Sequence, residues 1–161
     1  MATDALASYL NDHLAGSAVA LDLLAKMRAN NEGNEVGTTV AELHEAVKQD
    51  RAALETIMQT LDVGASSLRQ AGGRVLEKVS RVKFDEWSTR DSDLSLLLET
   101  EALALGIEGK MAGWHALKEL PASRLNDVDL DGLIGRARQQ RCHGRGTPAR
   151  RRPRSLRLAR P

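Results

Sequence analysis

Three polar residues occupy positions where helical periodicity would place apolar ones: His13, Asp50 and Glu108. A neutral imidazole and two carboxylates are ligands that suit iron, manganese or zinc, and the same groups can transfer protons. If they are buried, they also need hydrogen-bonding or charged partners, because a buried unpaired carboxylate is strongly disfavoured. The set therefore predicts either a divalent-metal or proton-transfer site, or a buried layer of paired polar side chains that sets the register of the helices.

Glu108 belongs to the most apolar stretch of the chain, residues 94–114, which also contains Glu101. Spacings of three and four predict that both glutamates lie in the buried stripe of one helix. The predicted stripe is Leu94, Leu98, Glu101, Leu105, Glu108 and Ala112. Glu101 precedes Glu108 by seven residues, which is roughly 10 Å along a helix axis. The two carboxylates are thus too far apart to share one ion, and Glu101 needs its own partner, for which Arg74 and Arg81 are candidates.

Five helices are predicted to position these residues, over residues 4–30, 39–62, 67–83, 93–120 and 127–140. Turn-rich segments or Pro121 separate them. In an up-down-up-down bundle, His13, Asp50 and Glu108 lie at heights of roughly 14, 18 and 17 Å from one end. Three helices thereby contribute to one level, and Glu77 or Lys78 of the predicted helix over 67–83 falls near the same height.

The second predicted helix has the clearest pattern. Thr39 and Glu42 form a capping-box sequence, which predicts the start of the helix at Thr39. Its predicted buried stripe is Val40, Leu43, Val47, Asp50, Leu54, Ile57 and Leu61. The first helix has Thr3 as its predicted N-cap, and its predicted inner face is Leu6, Leu10, His13, Leu14, Ser17, Leu21 and Leu24. No strand pattern competes, so the fold class is all-α, an antiparallel four-helix bundle with an additional C-terminal helix.

The ferritin-type di-iron motif is missing from the sequence. That centre requires a Glu-x-x-His on each of two helices, whereas leucine, alanine, alanine and glutamine stand three residues before the four histidines. A standard di-iron carboxylate centre is therefore not expected. Any metal would be held by His13, Asp50 and Glu108 in another arrangement.

Composition restricts the cellular compartment and the class of protein. The single cysteine, Cys142, excludes an intrachain disulfide. The N-terminal residues lack the pattern of a signal peptide, and no run of ~18 apolar residues predicts a membrane span. A cytoplasmic protein with no membrane association is the expectation.

Charge divides the chain into an acidic body and a basic tail. All 22 acidic residues precede residue 136, and ten arginines follow residue 135. From Arg141 onward proline, glycine and arginine dominate, which predicts a bundle domain over 1–140 and a disordered tail over 141–161. The tail could bind phosphate backbones without reading sequence, could fold onto the acidic body, or could result from a frame shift in a GC-rich gene.

Three segments, residues 9–16, 45–54 and 98–110, resemble a group of small bacterial ferritin-like helical-bundle proteins whose function is uncharacterised. The resemblance spans residues 5–140 and implies a ferritin-like bundle without implying an activity. It also implies that the last helix continues past Arg141, where the composition of this chain departs from the pattern.

The expected function is a non-catalytic structural or interaction role, with self-association of the acidic bundle into a homo-oligomer as a possible mode. One alternative is a metal-binding or redox protein that uses His13, Asp50 and Glu108. The other alternative is association with nucleic acid through the arginine-rich tail.

Overall fold

The computed structural model describes residues 2–63, 92–125 and 128–146, and within them the chain is all-helical, with no strand. The described residues form four α-helices: α1 (Ala2–Asn30), α2 (Glu35–Thr60), α3 (Ser92–Lys118) and α4 (Leu130–Gly146). A short 3₁₀ turn, Ala122–Arg124, lies between α3 and α4. The helix predicted over 67–83 lies outside the described residues. So do its residues Arg74 and Arg81, the candidate partners of Glu101, and Glu77 and Lys78, which are predicted near the height of His13, Asp50 and Glu108.

The four helices pack as two pairs, α1 with α2 and α3 with α4, and α1 also packs against α3. The connection between α1 and α2 is only four residues long, so the two helices are antiparallel neighbours. Gly33 in this connection has a φ of 80°, a left-handed conformation that glycine adopts without steric cost. Gly37 is required for a different reason, because a Cβ at this position would lie 2.0 Å from the carbonyl oxygen of Asn31.

The start of α2 differs from the prediction. Asn34, not Thr39, is the N-cap, and its Oδ1 accepts a hydrogen bond of 3.0 Å from the Gly37 amide. Thr39 lies inside the helix and donates its hydroxyl to the Glu35 carbonyl. The capping-box pattern was misleading because asparagine is as good an N-cap as threonine, and the earlier cap adds a full turn to the helix.

The end of α2 is closed by a residue in the left-handed conformation, Asp62, with a φ of 51°. The amide of Asp62 donates to the Gln59 carbonyl and the amide of Val63 donates to the Met58 carbonyl. This pair of bonds is the Schellman motif. Val63 and Met58 occupy the two positions of this motif that commonly make an apolar contact. Both side chains are buried.

The helix α4 continues six residues beyond its predicted end at Gln140, so the part of the predicted tail over 141–146 is helical. Asp129 caps its N-terminus, with Oδ1 accepting a 2.8 Å bond from the Gly132 amide. Residues 147–161, which include most of the arginine-rich tail, lie outside the described residues.

The core is aliphatic, and Trp114 is its one aromatic residue among the described positions. All seven positions of the predicted α2 stripe are buried. The predicted α3 stripe is wrong: Leu105 is 74% exposed and Glu101 and Ala112 are also exposed. The buried positions of α3 are Glu99, Thr100, Leu103, Ile107, Gly113, Trp114 and Leu117.

Candidate functional site

Asp50 is the centre of a buried polar cluster that joins three helices. The residue lies in α2 and is 2% exposed. Lys110 of α3 donates to its Oδ2 at 2.6 Å. From α4, Gln140 Nε2 donates to Oδ2 at 2.8 Å and Arg136 Nε donates to Oδ1 at 3.1 Å. Both carboxylate oxygens are therefore already hydrogen-bonded, and the cluster ties α4 to the rest of the bundle.

The cluster contains more positive than negative charge. Lys110 and Arg136 are two cations, and among the described residues Asp50 is the only carboxylate that pairs with them. Gln140 is neutral and accepts a further hydrogen bond from Lys110 through Oε1. Burial lowers the pKa of Lys110 and the charge of Arg136 acts in the same direction, while Asp50 opposes both through its charge and its hydrogen bond.

A cavity of about 390 Å³ lies beside this cluster, among α1, α2 and α3. Its volume falls in the range of natural small-molecule sites, roughly 300–1,000 Å³. Most of its wall is apolar. The apolar and glycine lining consists of Leu10, Gly16, Val19, Ala20, Leu23, Leu43, Val47, Leu54, Ala102, Leu103, Gly106, Ile107, Gly109, Gly113, Trp114 and Leu117.

Few polar side chains line the cavity. Among the described residues they are Asp12, His13, Ser17, Asp50, Arg51 and Lys110. Arg51 is held by Glu55 through a 3.0 Å ion pair, and it also donates to the Ser17 hydroxyl and the Leu14 carbonyl. Among the described residues, the indole Nε1 of Trp114 is buried and finds no acceptor. The unused hydrogen-bonding capacity of the buried wall therefore includes an N–H donor.

His13 lies half-buried on the α1 side of the cavity. Its ring packs edge-on against Tyr9, with centroids 4.6 Å apart. On the α3 side it lies against Gly113, where a Cβ would come within 3.0 Å of His13 Cε1. Burial lowers the pKa of the imidazole, and the nearby carboxylate of Asp12 opposes this shift. The ring is thus favoured in its neutral form.

Of the three predicted site residues, His13 and Asp50 line the same cavity and Glu108 does not. Glu108 is half-buried and accepts a 2.8 Å hydrogen bond from Arg141 Nη1, which forms a separate link between α3 and α4. Within the three described stretches, no group of three or more His, Cys, Asp or Glu side chains could hold a metal ion. Metal binding by His13, Asp50 and Glu108 stays a prediction, which a stoichiometric titration tests.

The second predicted buried carboxylate, Glu101, is exposed, and the buried one is Glu99, which is 5% exposed. Burial raises the pKa of the Glu99 carboxyl, and the charge of Lys26 on α1 lowers it. Glu99 and Glu101 lie two positions apart, roughly 200° around a helix. A prediction that rotates α3 about its axis by roughly this angle therefore exchanges the buried and the exposed glutamate.

Sequence reasoning missed Lys110, Arg136 and Gln140, the three partners of Asp50. Lys110 continues the stripe formed by Leu103, Ile107, Trp114 and Leu117 at spacings of three and four, and this signal was available. The spacing of four between Arg136 and Gln140 places them on one face of α4. Nothing in the sequence connects that face with Asp50, which is 86 residues before Arg136.

Two further findings concern membrane association and similarity to known proteins. Within residues 2–63, 92–125 and 128–146, none of the helices combines the length and apolar character needed to cross a bilayer. In comparisons with protein-family models, curated proteins and solved structures, nothing matches this chain.

Proposed function

We propose that this protein is a non-catalytic interaction protein built on a ferritin-like helical bundle, and that it binds a small, mainly apolar molecule in the cavity among α1, α2 and α3. The observation that carries the proposal is the cavity itself, of about 390 Å³, with a largely apolar wall and a few polar groups on it. Small-molecule sites have this character and occur between the helices of bundles.

The glycines of the wall support the same function. An added Cβ at Gly16, Gly106 or Gly109 would meet no atom of the described residues within 4 Å, apart from its own chain neighbours and helix backbone. Close packing against the described helices therefore does not explain these three glycines. Each glycine inside a helix costs roughly 1 kcal/mol relative to alanine. Their presence on the cavity wall supports a role in keeping the space open.

The polar groups support binding rather than catalysis. Asp50 is fully hydrogen-bonded and Arg51 is held by an ion pair and two further bonds. These groups are positioned by the fold and are not arranged as an acid–base or nucleophile–base pair. Self-association and association with nucleic acid stay predictions, and no contact of the described residues favours either.

The neutral fluorescent dye Nile red tests the proposal by titration into the full-length protein. Saturable binding of one dye per chain is expected. Gly106→Leu should weaken this binding at least tenfold, because the new side chain occupies space on the cavity wall without a clash at its Cβ. Gly106→Leu should also preserve the helix, since leucine is a better helix former than glycine.

Gly135→Leu is the matched control for this experiment. Gly135 lies in α4, its Cβ position is also open, and it does not line the cavity. The variant should bind Nile red as the unmodified protein does. Equal binding by both leucine variants, or no saturable binding by the unmodified protein, would show that the cavity is not a ligand site.

A further inference from the structure

On the α3 side of the cavity wall, the polar side-chain groups of the described residues are N–H donors. Lysine has three N–H donors, and the described residues accept two of those of Lys110, at Asp50 and Gln140. Trp114 provides an indole N–H that has no acceptor within the described part of the chain. The oxygens of Asp50 already accept bonds from Lys110, Arg136 and Gln140.

Lys110 and Trp114 are four residues apart on α3, and side chains at this spacing are neighbours on one face of a helix. Both line the cavity. The Lys110 ammonium and the buried indole N–H of Trp114 are thus the two candidate donors on this wall for a ligand group with two acceptor oxygens. A carboxylate has two such oxygens and accepts shorter, stronger hydrogen bonds than a neutral group does.

Charge favours the same ligand group. Among the described residues, the Asp50 cluster contains two cations and one carboxylate, so an added negative charge beside Lys110 would balance these charges. The other carboxylate on the cavity wall, Asp12, is exposed to solvent, where water screens its repulsion of an anion. An ammonium group, in contrast, would approach Lys110 where the described residues provide no buried carboxylate besides the already hydrogen-bonded Asp50.

We propose that the molecule bound in the cavity is a monocarboxylate with an aliphatic chain, whose carboxylate accepts hydrogen bonds from Lys110 and Trp114 and whose chain lies along the apolar wall. This inference rests on the proposed function, because it identifies the chemical class of the ligand of the same cavity.

The test uses three probes with the same chain and different head groups: octanoate, octanol and octylamine. Trp114 reports occupancy by its fluorescence when Trp87, the only other tryptophan, is replaced in a Trp87→Phe background. Octanoate should bind at least about tenfold more tightly than octanol, the smallest factor expected for a hydrogen bond to a charged group. Octylamine should bind most weakly.

Lys110→Met should remove the preference and leave octanoate and octanol with similar affinities. Lys118→Met is the matched control on the same helix, since Lys118 pairs with Asp131 at the surface and does not line the cavity; it should retain the preference. The comparison of the three probes on the chain with Lys110 intact remains decisive even if Lys110→Met fails to fold.

The outcomes separate this inference from the proposed function. Binding of Nile red together with equal affinities for octanoate and octanol would overturn the carboxylate inference and leave the cavity as an apolar ligand site. Tightest binding of octylamine would also overturn the carboxylate inference. It would indicate that a carboxylate of the protein recognises an ammonium group of the ligand. Failure of Nile red and all three probes to bind would overturn both proposals.

Discussion

At the scale of single residues, the environment of a side chain depends on one or two neighbours that are distant in the sequence. His13 is half-buried because α3 brings Gly113 against its ring and α1 places Tyr9 beside it. An added Cβ at position 113 would require the imidazole to shift by a few tenths of an ångström. The helical periodicity of α1 predicts that His13 faces inward, but the pKa of its ring depends on how closely α3 approaches.

The pH dependence of stability follows from the lowered pKa of His13. The folded protein binds a proton at His13 less readily than the unfolded chain, whose imidazole has its ordinary pKa of 6.5. The contribution of this residue is therefore fully present above pH 6.5, and it is lost as the pH falls through 6.5 towards the lower folded-state value.

Urea unfolding at pH 7.5 and pH 5.5 checks this expectation, with His13→Gln as the comparison. The loss of unfolding free energy between the two pH values should be smaller in His13→Gln than in the unmodified protein. A histidine NMR titration should also show a pKa below 6.5 for His13. A His13 pKa above 6.5, with no change in pH dependence on substitution, would contradict the burial described here.

At the scale of elements, the buried face of a helix is predictable from the sequence where one face is clearly apolar and the opposite face is clearly polar. All seven predicted positions of α2 are buried because polar residues cover the opposite face. Residues 94–107 of α3 contain leucines around much of the helix circumference, so several stripes satisfy the periodicity equally well. Packing against α1 and α4 selects the stripe that contains Leu103 and Ile107.

Two leucines of α3 distinguish the predicted stripe from the observed one. Leu103 is 7% exposed and Leu105 is 74% exposed. Leu103→Ala should lower the free energy of unfolding by about 2–5 kcal/mol, as expected when a buried leucine is truncated. Leu105→Ala should change it by no more than about 0.5 kcal/mol, because surface substitutions are usually near neutral.

Chemical denaturation of both variants measures the difference, and the identical chemical change on one helix makes each the control for the other. A larger loss for Leu105→Ala than for Leu103→Ala would mean that α3 packs through the face originally predicted.

At the scale of the whole molecule, the Asp50 cluster holds together helices that are far apart in the sequence. Asp50, Lys110, Arg136 and Gln140 come from α2, α3 and α4. Removing one partner of a buried ion pair is strongly destabilising because it leaves the other charge uncompensated, whereas replacing both by apolar groups is often close to neutral.

A double-mutant cycle measures this coupling. Asp50→Leu should lower the free energy of unfolding by about 3–5 kcal/mol, because Lys110 and Arg136 then lack their carboxylate. The double variant Asp50→Leu with Lys110→Met should be more stable than Asp50→Leu alone. The exposed pair Glu45–Lys48 is the control, since more than half of each side chain is exposed, and Glu45→Ala should cost no more than about 1 kcal/mol.

Additive effects of Asp50→Leu and Lys110→Met would show that the two residues are not coupled and would contradict the cluster. A smaller effect of Asp50→Leu than of Glu45→Ala would contradict the burial of Asp50.

The sequence by itself determined the all-helical class, the approximate bounds of α1, α2 and α3, and the burial of Asp50. These features depend on local propensity and on an apolar stripe that recurs within one helix. Only the tertiary structure decided the face through which α3 packs, the donors that satisfy Asp50, the separation of Glu108 from His13 and Asp50, and the cavity beside Lys110. Each of these depends on the relative rotation and axial position of two or more helices, and shifts smaller than one helical turn change which side chains meet. Such shifts leave the periodicity of every individual helix unchanged.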